Sequence, residues 1–312
     1  MPHEEDVSMH YTHGDLLNAI KNGVEQLGKS ITSVTIEDLA PLDEFHIGGR
    51  QASQDFLDQL KFSAEDHLVD VGCGLGGTSR FVANRYTCNV TGIDLTSEYI
   101  EAGEALCKWV GLDQTITLHQ GSALDMLFDD EEFDGGYMMH VGMNIEDKVS
   151  LYKEIFRVLR PGSNFGVYDV MQIEKGELIY PVPWATTSKE SKLANPMQYK
   201  QAMEDAGFTV YSERNRRGFA LSFFEQLKRN STAKSGPPPL GLHILMGNNA
   251  PIKVQNMIKN MLNFFYKKNF HSQIILNHRY NCLSNDMLLG AQYDDCNSVS
   301  RQKVDGEILT SL

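Results

Sequence analysis

His67-Leu-Val-Asp-Val-Gly-Cys-Gly-Leu-Gly-Gly-Thr-Ser-Arg80 decides the fold. Leu68, Val69 and Val71 read as the end of a buried parallel strand. Gly72, Gly74, Gly76 and Gly77 follow as a tight loop, and residues 78–83 then have helical spacing. Strand, glycine turn and helix in that order suit a nucleotide-like ligand. Glycine lets the backbone approach such a ligand and tolerates positive φ. The helix start turns free N–H groups toward it.

The neighbours of the loop narrow the ligand. In a dinucleotide site the loop and helix receive an anionic pyrophosphate. Asp70 stands two residues before Gly72, at the strand tip. A carboxylate there repels a pyrophosphate and favours a positive group, such as the amino group of S-adenosylmethionine (SAM). Val90-Thr-Gly-Ile-Asp94 reads as the next strand and ends in an acid. It lies about 20 residues past the loop, the usual distance to a ribose-binding carboxylate. Either acid alone reads equally well as a solvated loop residue. The two acids and the glycines together point to a ligand.

These motifs resemble those of class I SAM-dependent methyltransferases. Asp70-Val-Gly-Cys-Gly-Leu-Gly-Gly77 is similar to the family's first motif, and Gly92-Ile-Asp94 to its second strand end. Gln120-Gly-Ser-Ala-Leu-Asp125 and Phe133 to His140 resemble the third and fourth strand regions. Glu154 to Gly162 resembles the helix and turn before the fifth strand. The resemblance covers residues 45–225 and is specific for fold and cofactor, not for substrate. It implies a Rossmann-like α/β fold, a mostly parallel sheet with helices on both faces, and SAM as cofactor.

Composition bounds the rest. The chain has 312 residues, 41% hydrophobic and 22% charged, ordinary for a globular protein. A formal net charge of −13 disfavours nucleic acid as partner. No apolar run reaches the ~20 residues of a membrane span. The start, Met-Pro-His-Glu-Glu-Asp6, reads as neither signal nor transit peptide, so the cytoplasm is the default location. The five cysteines show no metal spacing, so no metal is expected. Cys73 reads as a packing residue before a catalytic thiol. The sequence leaves open a homo-oligomer.

In chain order, residues 1–45 are expected to form an N-terminal helical lid, with helices near 14–27 and 33–39. Residues 46–265 make the methyltransferase domain and 266–312 an irregular C-terminal tail. Strands are expected at 67–71, 89–93, 115–119, 133–138 and 164–170, and helices at 77–85, 97–110, 146–159 and 196–206. Such alternation predicts a parallel sheet with ligands at the strand carboxyl ends. A sixth strand is expected at 208–214. Ser272 to His278 is a candidate for the antiparallel seventh strand that the family normally carries.

The site expectations follow that layout. Asp70, Gly72, Gly74, Gly76, Asp94, Leu95, Ser122, Ala123, Leu124, Asp125 and Met139 are the cofactor set. Asp125 is a candidate for the adenine amino group, with Ala123 and Leu124 covering the ring. His140, polar amid methionines, has the pKa range to take a proton and is the catalytic candidate. Gln51, Asn144, Tyr168 and Trp184 are the substrate candidates, with Tyr180 joining the two aromatics in a wall. His46 and Arg50 lie in the same glycine-containing segment, which reads equally as a capping loop. The resemblance, down to the His46-Ile-Gly-Gly49 loop, lies nearest the sarcosine/dimethylglycine small-amine methyltransferases. Carbon methylation of a quinone or tocopherol ring, a SAM-binding protein without turnover, and a nicotinamide-dependent dehydrogenase are the alternatives.

Overall fold

The structure is a computed structural model that describes residues 2–172, 176–231, 237–263 and 270–278. Seven strands form one sheet: β1 (His67–Val71), β2 (Asn89–Asp94), β3 (Ile116–Gln120), β4 (Phe133–Met139), β5 (Leu159–Met171), β6 (Phe208–Asn215) and β7 (Phe270–His278). Their order is β3-β2-β1-β4-β5-β7-β6. Pairs from β3 through β5 are parallel, and β7 runs antiparallel between β5 and β6. The order of the sheet reverses between β1 and β4, so a crevice opens at their carboxyl ends.

Burial explains which strands are central. Helices cover both faces of β1, β4 and β5, so these strands read as near-continuous apolar runs. Val69, Tyr137, Met138, Phe165 and Val167 are all fully buried. β5 begins five residues earlier than expected because Leu159 already pairs with Phe133. The register then slips across Pro161 and Gly162, and regular pairing resumes at Asn164. Proline has no N–H to give the ladder there.

Eleven helices are described. α1 (Pro2–Tyr11), α2 (Leu16–Gln26), α3 (Ile36–Asp43) and α4 (Gly49–Leu57) precede the sheet. α5 (Gly77–Tyr86), α6 (Ser97–Trp109), α7 (Lys148–Val158) and α8 (Pro196–Asp205) connect the strands. α9 (Arg217–Ser231), α10 (His243–Met246) and α11 (Ala250–Asn263) lie between β6 and β7. Local signals set several ends. Thr35 and Asp38 form a capping box on α3, and Asn195 and Gln198 form one on α8, where Pro196 occupies the first turn.

Three expectations change. α1 had no counterpart in the sequence reading. The short element expected at 33–39 is shifted to Ile36–Asp43, starting where the capping box begins. The stretch 266–312 is not all tail: β7 occupies residues 270–278, and Ile274 and Leu276 are fully buried in the sheet. The remainder of that stretch lies outside the described residues, with Cys282 and Cys296.

Candidate active-site cavity

A cavity of about 910 Å³ lies over the carboxyl ends of β1, β2 and β4. Its floor is the glycine loop. Gly72, Gly74 and Gly76 all have positive φ, at 73°, 54° and 69°. At Gly72 a Cβ would also sit 2.3 Å from Val141 Cγ2. The loop is held from below by Arg80. Its guanidinium bonds the Leu75 carbonyl at 2.7 Å and the Asp43 carboxylate at 2.5 Å, with both side chains fully buried.

The two acids of the loop region differ in their work. Asp94 is half-buried and faces the cavity. Its carboxylate accepts the Gly74 and Thr96 N–H groups at 2.9 Å each. Burial raises its pKa against those two bonds. Asp70 is 2% exposed and accepts the Ser79 hydroxyl at 2.7 Å. Burial pushes its carboxyl up to about 7, so it is a desolvated acid poised to gain from a cation. Cys73 also lines the cavity, but burial and the two acids push its thiol up, away from thiolate chemistry.

Leu95, Ser122, Ala123, Leu124 and Met139 all line the cavity as expected from sequence. Gly76 does not. It caps α5 and packs against Leu118. Asp125 does not either. Its backbone N–H closes a turn on Ser122 and the residue is exposed to solvent.

The substrate expectations fare less well. Gln51 is exposed on α4 and bonds Asp55 at 2.8 Å, off the cavity. Asn144 lines the cavity, but its amide is spent. It donates to the Trp184 and Glu190 carbonyls and accepts the Tyr11 hydroxyl. Tyr168 is fully buried behind the wall, its hydroxyl on the Ile47 carbonyl at 2.9 Å. Tyr180 does not line the cavity, so only Trp184 remains of the expected aromatic wall. Trp184 is held by its Nε1–H on Ser191 at 3.1 Å.

His140 lines the cavity at the end of β4, with a left-handed φ of 58°. Its backbone N–H bonds the Tyr168 carbonyl at 2.7 Å. Sequence reasoning gave less weight to its neighbour His46. The two rings lie 5.9 Å apart, and Tyr168 stacks edge-on against both. His46 Nε2 is 2.7 Å from Glu44, whose carboxylate also takes the Ser53 hydroxyl and the Arg50 guanidinium. The signal was legible as Glu44-Phe-His46 just before α4, but an i,i+2 acid–histidine pair has no meaning until the backbone turns.

α1 roofs the polar end of the cavity. Glu4 accepts the Ser122 hydroxyl, and His3 reaches the Asn144 carbonyl at 2.7 Å. His10 bonds the Pro183 carbonyl at 3.0 Å. An apolar part of the lining comes from Phe223 and Phe224 of α9 and Val254 and Met257 of α11, packed with Trp184, while Leu245 of α10 packs with Leu75 of the glycine loop. Arg50 is the only Lys or Arg among the described lining residues, and it is paired with Glu44. No cluster of three or more His, Cys, Asp or Glu placed to hold a metal occurs among the described residues. None of the described helices is long and apolar enough to cross a membrane.

Comparison with known proteins gives the site its setting. Residues 69–167 match the methyltransferase-domain family. The 24-methylenesterol C-methyltransferase 2 of Arabidopsis thaliana is 34% identical over 119 residues, 38% of this chain and 33% of that protein. Phosphoethanolamine N-methyltransferase 1 of the same plant is 28% identical over 187 residues, 58% of this chain and 36% of that protein. The match spans between 26% and 51% of the length of these curated relatives. Among solved structures, geranyl diphosphate C-methyltransferase from Streptomyces coelicolor A3(2) superposes with a TM-score of 0.61 at 18% identity. It covers 90% of this chain and 99% of its own.

Proposed function

We propose that this chain, which carries a methyltransferase domain over residues 69–167 in a class I methyltransferase sheet, moves a methyl group from SAM to a small apolar acceptor. The observation that carries the reading is the cavity's division. Asp70 and Asp94 stand over a glycine floor, and Trp184, Phe223, Phe224, Val254 and Met257 form a separate apolar cluster in the lining.

The donor set fits the cofactor. Asp94 offers a carboxylate at the tip of β2 to a ribose diol, already oriented by Gly74 and Thr96. Asp70 offers a desolvated acid to an α-ammonium group. Leu95, Ala123 and Leu124 offer an apolar slot for a base. When bound, SAM supplies a methyl already activated on a sulfonium, which departs leaving its bonding electron pair on sulfur. The chain's own part is to hold both partners at near-attack distance and exclude water. Met139 and His140, at the end of β4, line the cavity.

The acceptor follows from the charges. An acceptor phosphate or carboxylate placed against the apolar lining would find no unpaired Lys or Arg among the described lining residues. That weighs against a zwitterion such as sarcosine and against phosphoethanolamine. Phe223, Phe224, Val254 and Met257 instead favour a ring or isoprenoid acceptor, in line with the sterol methyltransferase likeness.

Titration calorimetry with S-adenosylhomocysteine on the wild type and Asp94→Ala tests the cofactor half. Affinity should fall more than about tenfold, 1.4 kcal/mol, in the variant. Radiolabelled methyl transfer to a prenylated hydroquinone, geraniol, sarcosine and phosphoethanolamine tests the other half. Preferred turnover of sarcosine or phosphoethanolamine would overturn the apolar reading.

A further inference from the structure

We propose that His46, oriented by Glu44, is the group that takes the proton displaced from the methyl acceptor. The inference rests on the methyltransferase reading above and assigns a step within it.

Glu44 is 6% exposed, and His46 is 8% exposed and lines the cavity. Burial alone would raise the Glu44 carboxyl. The hydrogen bond and charge of His46 and the charge of Arg50 outweigh it and hold the group below the usual carboxylate range. An ionised carboxylate only accepts hydrogen bonds. The imidazole nitrogen 2.7 Å away, Nε2, must therefore carry a hydrogen and donate it. Ser53 donates its hydroxyl to the same Glu44 oxygen at 2.5 Å, which leaves its own lone pairs toward the ring. The remaining ring nitrogen, Nδ1, is buried and has no hydrogen-bond partner among the described residues. A ring whose Nε2 is fixed as donor by a buried acid, with Nδ1 left unpartnered, is placed to act as a general base.

Everything that faces the ring is compatible with that role. Glu44 lies on one side with Arg50 behind it, His140 at 5.9 Å and Tyr168 at 6.0 Å on the other. Tyr168 stays a neutral phenol, since burial raises its pKa against the charge of Arg216.

The balance is simple. The acceptor's nucleophilic atom forms the new bond to methyl with its own electron pair. The hydrogen it carried then leaves as a proton, and the electrons of that bond return to the acceptor. The Nδ1 lone pair forms the new N–H bond. The imidazolium so formed sits against the Glu44 carboxylate and releases its proton to water once product has left. Glu44 is a positioning residue.

Two measurements decide. Nitrogen-15 NMR of histidine-labelled full chain with S-adenosylhomocysteine needs no acceptor. It should find His46 protonated at Nε2 and bare at Nδ1 at high pH. The opposite tautomer overturns the proposal. The second measurement uses whichever acceptor the transfer screen identifies. His46→Ala should lower kcat by about 100-fold or more while S-adenosylhomocysteine affinity stays within about threefold, and His140→Ala should lower it less than about tenfold. If His46→Ala fails to fold, Glu44→Gln decides. The acid limb of its pH–rate profile should move to lower pH, because the anion that favours the imidazolium is gone. An unmoved limb overturns the proposal. A wild type that binds S-adenosylhomocysteine and methylates nothing sinks the functional reading instead, and the NMR result still decides on the base.

Discussion

Asp70 shows how one side chain can cost stability to gain binding. Its carboxyl titrates near 7 in the folded protein and near roughly 3.9 in an unfolded chain. The folded state therefore holds this proton more tightly. Stability falls as pH rises from about 4 to about 7 and is flat with respect to this group above that. Asp70→Asn removes the cost. The ligand-free variant should be more stable than wild type at pH 8, by roughly 2–4 kcal/mol, and equal to it below pH 4 in urea titrations. The same substitution should cost affinity. In the wild type, S-adenosylhomocysteine binding should weaken roughly tenfold per unit as pH drops below 7, because the proton must leave first. Asp70→Asn should bind weakly and without that slope. This acid was legible in the sequence because its place at a strand tip before a glycine turn is local. Gln51, Asp125 and Tyr168 stand off the cavity, and the Asn144 amide is spent within its wall, for a common reason. Each lies near the cavity in sequence, but its side-chain direction is set by a helix face, a turn or a distant carbonyl that no local pattern reveals.

At the scale of elements, the Asp43–Arg80 pair joins α3 to α5 directly beneath the glycine loop. Gly77 lets the two helices meet: a Cβ there would lie 2.5 Å from the Asp43 carbonyl oxygen. A buried ion pair contributes little net stability, but removing one partner strands the other charge. Arg80→Met should destabilise the fold by about 3–5 kcal/mol in chemical denaturation. Adding Asp43→Leu should recover most of the loss, because no orphan charge remains. The loop itself, and the strands and helices from β1 to α8, were readable from period and punctuation to within a few residues. α1 was not. Its sequence has no apolar stripe: apart from Tyr11 packing on Phe45 and Tyr99, the bonds that tie it down are single polar ones to the β3 and β4 loops and the 183–186 segment.

For the whole molecule, the sheet depends on a strand far from the motifs. β7 supplies both neighbours that β5 and β6 would otherwise lack, through eight paired positions on one side and seven on the other. Ile274 is fully buried in the main apolar core. Ile274→Asp should destabilise the protein by more than about 3 kcal/mol and expose hydrophobic surface, read as dye binding and loss of cooperative melting. The sequence offered Ser272 to His278 as a candidate for this strand, but a nine-residue run whose strong β formers are only Phe270, Ile274 and Ile275 carries no mark of its partners. The order of synthesis gives that placement a further meaning. A ribosome that has released residues up to 263 has already made every described residue that lines the ligand cavity. Yet the β5 and β6 edges that β7 will join would then be bare, a template for any other extended chain. The window closes only when the 270–278 segment emerges from the exit tunnel. Translation speed through the segment before β7 thus bears on yield as directly as any contact in the finished cavity.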